Sequence, residues 1–181
     1  MSLRELTQDL HSIAERTPIA KLLATGRVTK EQYRTYLYQL IAIYGPIEFS
    51  TKLQGQFLPL ANEPRLPKVF KDYLELVDGE ANDVWIPETV AYSNYLLELI
   101  NDPARKHLIR AHAYVRIMGD LSGGQLLAQV CPGSCEQFRF SRPCAEIKAE
   151  LYPELTDDLG DEARVAFQYF IDIMHALGGT E

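Results

Sequence analysis

The sequence predicts an all-α, single-domain, multi-helix bundle, and three observations carry that prediction. Apolar residues recur at spacings of three and four rather than in alternation. Pro, Gly and Asn/Asp punctuate the chain at helix-length intervals, and no repeat, low-complexity tract or linker interrupts it. At 181 residues with 46% apolar, the chain can bury one core without disulfide or metal staples, so residues 1–181 are expected to form one domain.

Each helix has its own start and stop signals. Ser2 with Glu5 is a capping box, and Leu3, Leu6, Leu10 and Ile13 carry helical spacing to about Arg16. Thr17-Pro18 opens a short second helix ending at Gly26. Thr29 with Gln32 caps a third, with Tyr33, Tyr36, Leu37, Leu40, Ile41 and Tyr44 in register, and Gly45-Pro46 is expected to kink or end it. Residues 59 to 67 read as loop. Val69, Phe70, Tyr73 and Leu76 then mark a helix stopped by Asp78-Gly79, and another begins near Pro87. Asp102-Pro103 is expected to start the longest helix, which keeps register through Leu108, Ala111, Val115, Met118 and Leu121 to about Val130. The tail holds helices over residues 143–151 and from about Asp161 to Leu177, the latter closed by Gly178-Gly179.

Composition narrows the function. A formal charge of -7 repels a phosphate backbone, which argues against a nucleic-acid partner. No apolar run is long enough for a membrane span, and the N-terminus lacks the basic start and apolar stretch of a secretion signal, so a cytoplasmic protein without a membrane partner is expected. Cys131, Cys135 and Cys144 are odd in number and crowded into one stretch. With no adjacent histidine they do not match zinc-ligand spacing, so reduced thiols and no zinc are expected.

The segment from Gly119 to Gln125 is harder to explain by stability. Three glycines within six residues of a helix each cost roughly 1 kcal/mol relative to alanine. One reading is a kink that lets another helix approach; the other is a backbone wall, free of Cβ atoms at Gly119, Gly123 and Gly124, lying against a large planar ligand with Asp120 beside it. The Lys-Ser/Thr of a phosphate loop is absent, Gln125-Leu126 standing there instead. Asp120 sits between apolar neighbours and needs a partner; Arg116, four residues earlier, can supply a structural ion pair. Among the four histidines, His11 flanks the apolar stripe of the first helix, where it could face a cleft. His107 and His112 read as structural, and His175 meets the C-terminal dipole of the last helix.

The run His112-Ala113-Tyr114-Val115-Arg116-Ile117-Met118-Gly119-Asp120-Leu121-Ser122-Gly123-Gly124-Gln125 closely resembles the signature segment of the heme oxygenase family. Leu10 to Glu15, continued by Gly26 to Tyr44, looks like that family's proximal-histidine helix; a looser likeness covers Ile147-Lys148 to Tyr152 and Ala166-Phe167. The resemblance implies a bundle in which heme is sandwiched between the first helix and a kinked, glycine-rich distal helix. It implies His11 as the iron ligand, with Glu15 and Phe167 beside the heme and Gly119 and Gly123 on its distal face. It further implies Asp120 as the organiser of a distal water network, with Arg116 and Tyr44 in its hydrogen-bond set. Arg4, Tyr114 and Lys148 match propionate contacts. Heme would then be cofactor and substrate together, cleaved with O2 to biliverdin, carbon monoxide and iron. Tyr152-Pro153 stands where a second basic propionate ligand is often found, and Phe170 replaces a polar network residue, so the seating of the ring is open.

Two other readings compete. A noncatalytic heme carrier or sensor would need His11 and a pocket, but not a carboxylate among glycines. A thiaminase-like helical enzyme would need one of the cysteines at a cleft beside carboxylates. The implied partners are an electron-donor protein of ferredoxin or flavin reductase type, for which Lys21, Arg27, Lys30 and Arg34 offer a basic face, and a bilin acceptor.

Overall fold

A computed structural model describes residues 2–55, 60–79 and 81–178, and every regular element among them is helical. α1 (Leu3–Glu15) starts at the predicted capping box: Ser2 N–H donates to Glu5 at 2.7 Å while Glu5 N–H returns to Ser2 Oγ at 3.4 Å. α2 (Pro18–Ala24) follows a Pro-initiated turn and stops before Gly26, which has φ +65°. α3 (Lys30–Leu53) opens on the Thr29–Gln32 capping box, with both reciprocal hydrogen bonds in place. α4 (Leu66–Leu76), α5 (Pro87–Asn101), α6 (Ile109–Ser122), α7 (Gly124–Leu127), α8 (Cys144–Leu151) and α9 (Gly160–Gly178) complete the order. Among the described residues, no helix is long and apolar enough to cross a membrane.

Three boundaries differ from the sequence reading. α3 does not end at Gly45-Pro46 but runs on to Leu53. Proline has no N–H for the carbonyl four residues back, and here Ser93 of α5 supplies the missing donor, its Oγ lying 3.1 Å from the Ala42 carbonyl. The helix expected from Asp102-Pro103 instead begins at Ile109, after a turn and a 3-10 segment over Lys106–Leu108. Asp102 Oδ1 accepts the Ala104 N–H at 2.9 Å, an Asx turn that competes with helix. α3, at 24 residues, is therefore longer than α6. The loop expected over residues 59–67 gives way to helix at Leu66; Pro59 lies outside the described residues, as does Gly179 at the expected close of α9.

Buried side chains form two clusters. The larger joins α2, α3, α4 and α5 to α6, α8 and α9 around Tyr33, Leu37, Leu40, Tyr92 and Leu96. The smaller sets Leu3, Leu10 and Ala14 of α1 against Ala111 and Val115 of α6 and Ala163, Ala166 and Phe167 of α9. α1 is drawn onto α9 by Arg164, which donates to the Leu6 carbonyl at 2.7 Å and reaches both Asp9 oxygens at 2.7 and 2.8 Å. Close approach is possible there because a Cβ at Gly160 would stand 2.6 Å from Leu6 Cδ1. A cleft is left between α1 and α6 where the two clusters meet.

Candidate functional site

The cleft has two lobes that share a wall. The inner lobe, about 420 Å³, reaches Arg116 and Asp120 and is otherwise largely apolar, with Leu23, Phe138, Phe170 and Met174 among its lining. The outer lobe, about 880 Å³, carries Arg4, Tyr114 and Lys148. His11, Glu15, Gly119, Gly123 and Phe167 border both. Ten of the eleven residues singled out from the sequence therefore line one slot. Tyr44, the eleventh, lines neither lobe and stands behind Asp120.

His11 projects from the middle of α1 with its side chain about half exposed. Its ring meets Phe167 edge-on at 6.0 Å between centroids, and Nδ1 lies 3.6 Å from a Glu15 oxygen one turn on. A carboxylate at one ring nitrogen favours the tautomer that leaves the other free to act as a ligand. Opposite, Gly119 presents bare backbone: a Cβ added there would meet nothing within 4 Å. A Cβ at Gly123 would meet only the Gly119 carbonyl, at 3.7 Å. The absence of side chains at these two positions leaves space that no protein atom fills. Gly124 differs, since its Cβ would lie 2.4 Å from the Phe138 ring. Of the two sequence readings of this cluster, the open wall fits Gly119 and Gly123, and close packing fits Gly124.

Asp120 is 4% exposed and Arg116 5%. Tyr44 Oη donates to Asp120 Oδ2, and Arg116 Nη2 stands 3.9 Å from Oδ1. Arg116 also reaches Tyr36 Oη at 3.5 Å and lies over the Phe170 ring at 4.2 Å, while its buried Nε has no hydrogen-bond partner among the described residues. Burial pushes the Asp120 carboxyl above the usual carboxylate range, against the opposing pull of Arg116 and the Tyr44 hydrogen bond. Burial likewise holds the Tyr44 hydroxyl well above its ordinary value, helped by the adjacent Asp120. Burial opposes the Arg116 charge, yet Tyr36, Tyr44 and Asp120 around it keep its pKa raised. The result is a buried carboxyl group at the inner end of the slot, with Tyr44 donating to one oxygen and Arg116 beside the other.

Arg4 of α1 and Lys148 of α8 line the outer lobe. Burial raises the Tyr114 hydroxyl, against the opposing pull of Thr7 beside it. Hence the inner lobe is largely apolar around Arg116 and Asp120 and bounded by glycine backbone, while the outer lobe carries Arg4 and Lys148 together with the carboxylates of Glu15 and Asp157. A flat, largely apolar molecule bearing carboxylates at one edge and a metal at its centre fits that distribution.

Sequence reasoning missed Tyr36, Phe138 and Met174 as lining residues, because each belongs to an element whose own pattern reads as core or loop. His112 is structural as expected: fully buried, it bonds Tyr92 Oη at 2.8 Å and Glu162 at 2.9 Å. Cys131, Cys135 and Cys144 border neither lobe, and burial pushes the Cys131 thiol up to about 12.

Comparison with known proteins identifies the family and the fold. A family model described as heme oxygenase matches residues 1–137. The chain is 27% identical to heme oxygenase 1 of Bos taurus, over 98% of this chain and 71% of that protein. It is 30% identical to a heme oxygenase of the alga Porphyra purpurea, over 73% of this chain and 58% of that one. In fold it is similar to heme oxygenase-1 of the cyanobacterium Synechocystis in complex with heme: TM-score 0.83 and 22% identity, covering 97% of this chain and 90% of that one. The heme oxygenase of Leptospira interrogans superposes with the same TM-score, at 22% identity and full coverage of that chain.

Proposed function

The chain belongs to the heme oxygenase family, and from that premise we propose that it cleaves heme to biliverdin, carbon monoxide and ferrous iron, using O2 and electrons from a separate donor protein. The single observation that carries this reading is the slot itself: an imidazole on α1 faces bare glycine backbone on α6, with a buried carboxyl at the inner end. When bound, the heme supplies both the iron that engages O2 and the carbon framework that is opened.

The roles of this chain's residues follow from position. His11 would hold the iron, with Glu15 orienting its ring. Gly119 and Gly123 would present bare backbone to the macrocycle, and Phe167 lies beside His11. Arg4, Lys148 and the Tyr114 hydroxyl hold the propionates at the mouth. Asp120 would relay protons through ordered water, while Tyr44 donates to one carboxylate oxygen from behind and Arg116 stands near the other, keeping its charge tolerable in an apolar surrounding. Phe138, Phe170 and Met174 exclude bulk water from the inner end.

A heme carrier on the same scaffold is the second reading. It would use His11 and the wall but gives no reason for burying Asp120 with two dedicated partners. The thiaminase-like reading loses support because no cysteine borders the slot. A cytoplasmic setting, a ferredoxin- or flavin-type donor docking on the basic face at Lys21, Arg27, Lys30 and Arg34, and a downstream bilin acceptor complete the proposal. Arg34 is the least available of these cations, because it pairs with Asp83 at 2.8 Å.

The test is to add hemin, record the Soret band, and supply a reductant under air. Loss of the band with formation of biliverdin is the expected result. Stoichiometric binding that persists under reductant and O2 would refute turnover and leave the carrier. Asp120→Ala is expected to bind hemin normally and lose biliverdin yield in favour of peroxide release.

A further inference from the structure

The helix that carries Asp120 stops at Ser122 and resumes at Gly124, and the segment after α7 passes back beneath that interruption. There the Phe138 ring, 3% exposed, occupies the space a side chain on Gly124 would need, 2.4 Å from its Cδ1 and 2.9 Å from its Cε1. Real Cβ atoms do not approach that closely, so ring and glycine fit only as a pair. The same ring lines the inner lobe of the slot.

Phe138 is held from two directions. From the site, the Gln125 side-chain amide donates to the Phe138 carbonyl at 2.9 Å and to the Asp120 carbonyl at 3.3 Å, tying the backbone of the ring to the backbone of the carboxyl. From behind, α4 grips the residues on either side. Asp72 accepts the N–H groups of Glu136 and Gln137 at 2.7 and 2.8 Å, and Arg65 donates to the carbonyls of Gln137 and Arg139 at 2.9 and 3.0 Å. Gln137 adds a bond to Tyr33 Oη at 3.2 Å. Asp72 and Arg65 are buried at 2% and 0% exposure, a costly use of two charges unless the segment they hold must stay in place.

The geometry points to Phe138 as a positioning residue for Asp120: anchored by Asp72 and Arg65, its ring against Gly124 sets how α7 continues from α6 and so where the carboxyl and the Gly123 backbone stand over the slot. The inference rests on the heme oxygenase reading for the identity of the slot's occupant, but the placement of Asp120 is a property of the ligand-free chain.

The experiment follows the Asp120 carboxyl by ¹³C NMR across pH in ligand-free protein, with Asp120→Asn giving the assignment. Four proteins are compared: wild type, Gly124→Ala, Phe138→Leu, and both changes together. Either single change is expected to move the Asp120 titration midpoint by more than about 0.5 on the pH scale, because the carboxyl's hydrogen-bond and ion-pair distances change. The double variant, in which a smaller side chain makes room for the methyl, is expected to recover at least half of the displacement. If Phe138→Leu does not fold, the exposed Gln125→Glu takes its place, since a carboxylate cannot donate to the two carbonyls. Folded variants that lose thermal stability while the midpoint stays at the wild-type value would overturn the proposal. So would a displacement in Gly124→Ala that Phe138→Leu does not reduce. Failure of wild type to bind hemin would strike the functional reading alone, because the titration is done without it.

Discussion

Replacing Gly119 with alanine separates the two demands that fold and ligand place on one position. Gly119 lies inside α6, where alanine is favoured over glycine by about 1 kcal/mol. Nothing in the protein opposes the change, since the new Cβ meets no atom within 4 Å. Gly119→Ala should therefore stabilise the ligand-free chain by roughly 0.5–1 kcal/mol, raising Tm by about 1–4 °C for a chain of this size. The same methyl intrudes on the wall opposite His11. If overpacking costs about 1–3 kcal/mol there, hemin affinity falls roughly 5- to 150-fold. Thermal unfolding of ligand-free protein gives the first quantity, and hemin titration followed at the Soret band gives the second. A variant that is less stable without hemin, or that binds hemin as tightly as wild type, would show that Gly119 serves helix packing and not the ligand.

Three further predictions rest on other parts of the molecule. His11→Ala removes a half-exposed ring that touches Phe167 only at its edge, so urea unfolding of ligand-free protein should change by less than about 0.5 kcal/mol while the Soret signature of iron ligation is lost. Ser93→Ala leaves the Ala42 carbonyl without its donor and should cost about 1–3 kcal/mol. Pro46→Ala restores a backbone N–H, and in that background the cost of Ser93→Ala should shrink; equal costs in both backgrounds would sink the assignment. Burial holds the His112 imidazole below its ordinary 6.5 despite the Glu162 hydrogen bond, and the titratable groups facing it are Tyr92, Tyr95 and Glu162. The unfolded chain thus binds a proton that the folded chain resists, so His112 contributes stability that is present above pH 6.5 and lost as pH falls from there toward the lowered folded value. Denaturation midpoints across that window should decline in wild type and flatten in His112→Gln.

How much of this could be read from the chain depended on whether the deciding partner was near in sequence. The capping boxes at Ser2–Glu5 and Thr29–Gln32 are local and were legible to the residue. The slot's residues were legible as well, because the signature run and the first helix carry most of them. The continuation of α3 past Pro46 was not legible, since the hydrogen bond that permits it comes from Ser93, about fifty positions away. Tyr44 lies 76 positions from the Asp120 it bonds, and no periodicity links them; only the family resemblance suggested it. Phe138 escaped notice for the same reason: it sits in a 3-10 turn among cysteines and glutamines, and only the folded chain brings it under Gly124. The glycine cluster itself was ambiguous, and the structure divides it, with two glycines facing open space and one pressed on an aromatic ring.

The two buried clusters meet the ligand unequally. α1 draws its apolar contacts from the smaller one, together with the Arg164–Asp9 clamp, whereas Asp120 and its partners are set in the larger. In the ligand-free chain the first helix should therefore open at a lower free energy than global unfolding requires. Its amide protons should exchange earlier than those of α3. A molecule gripped by His11 on one side and by the α6 backbone on the other spans the seam, and its binding energy then adds to the opening cost of the helix. Filling the slot and holding α1 against α6 would then be a single event.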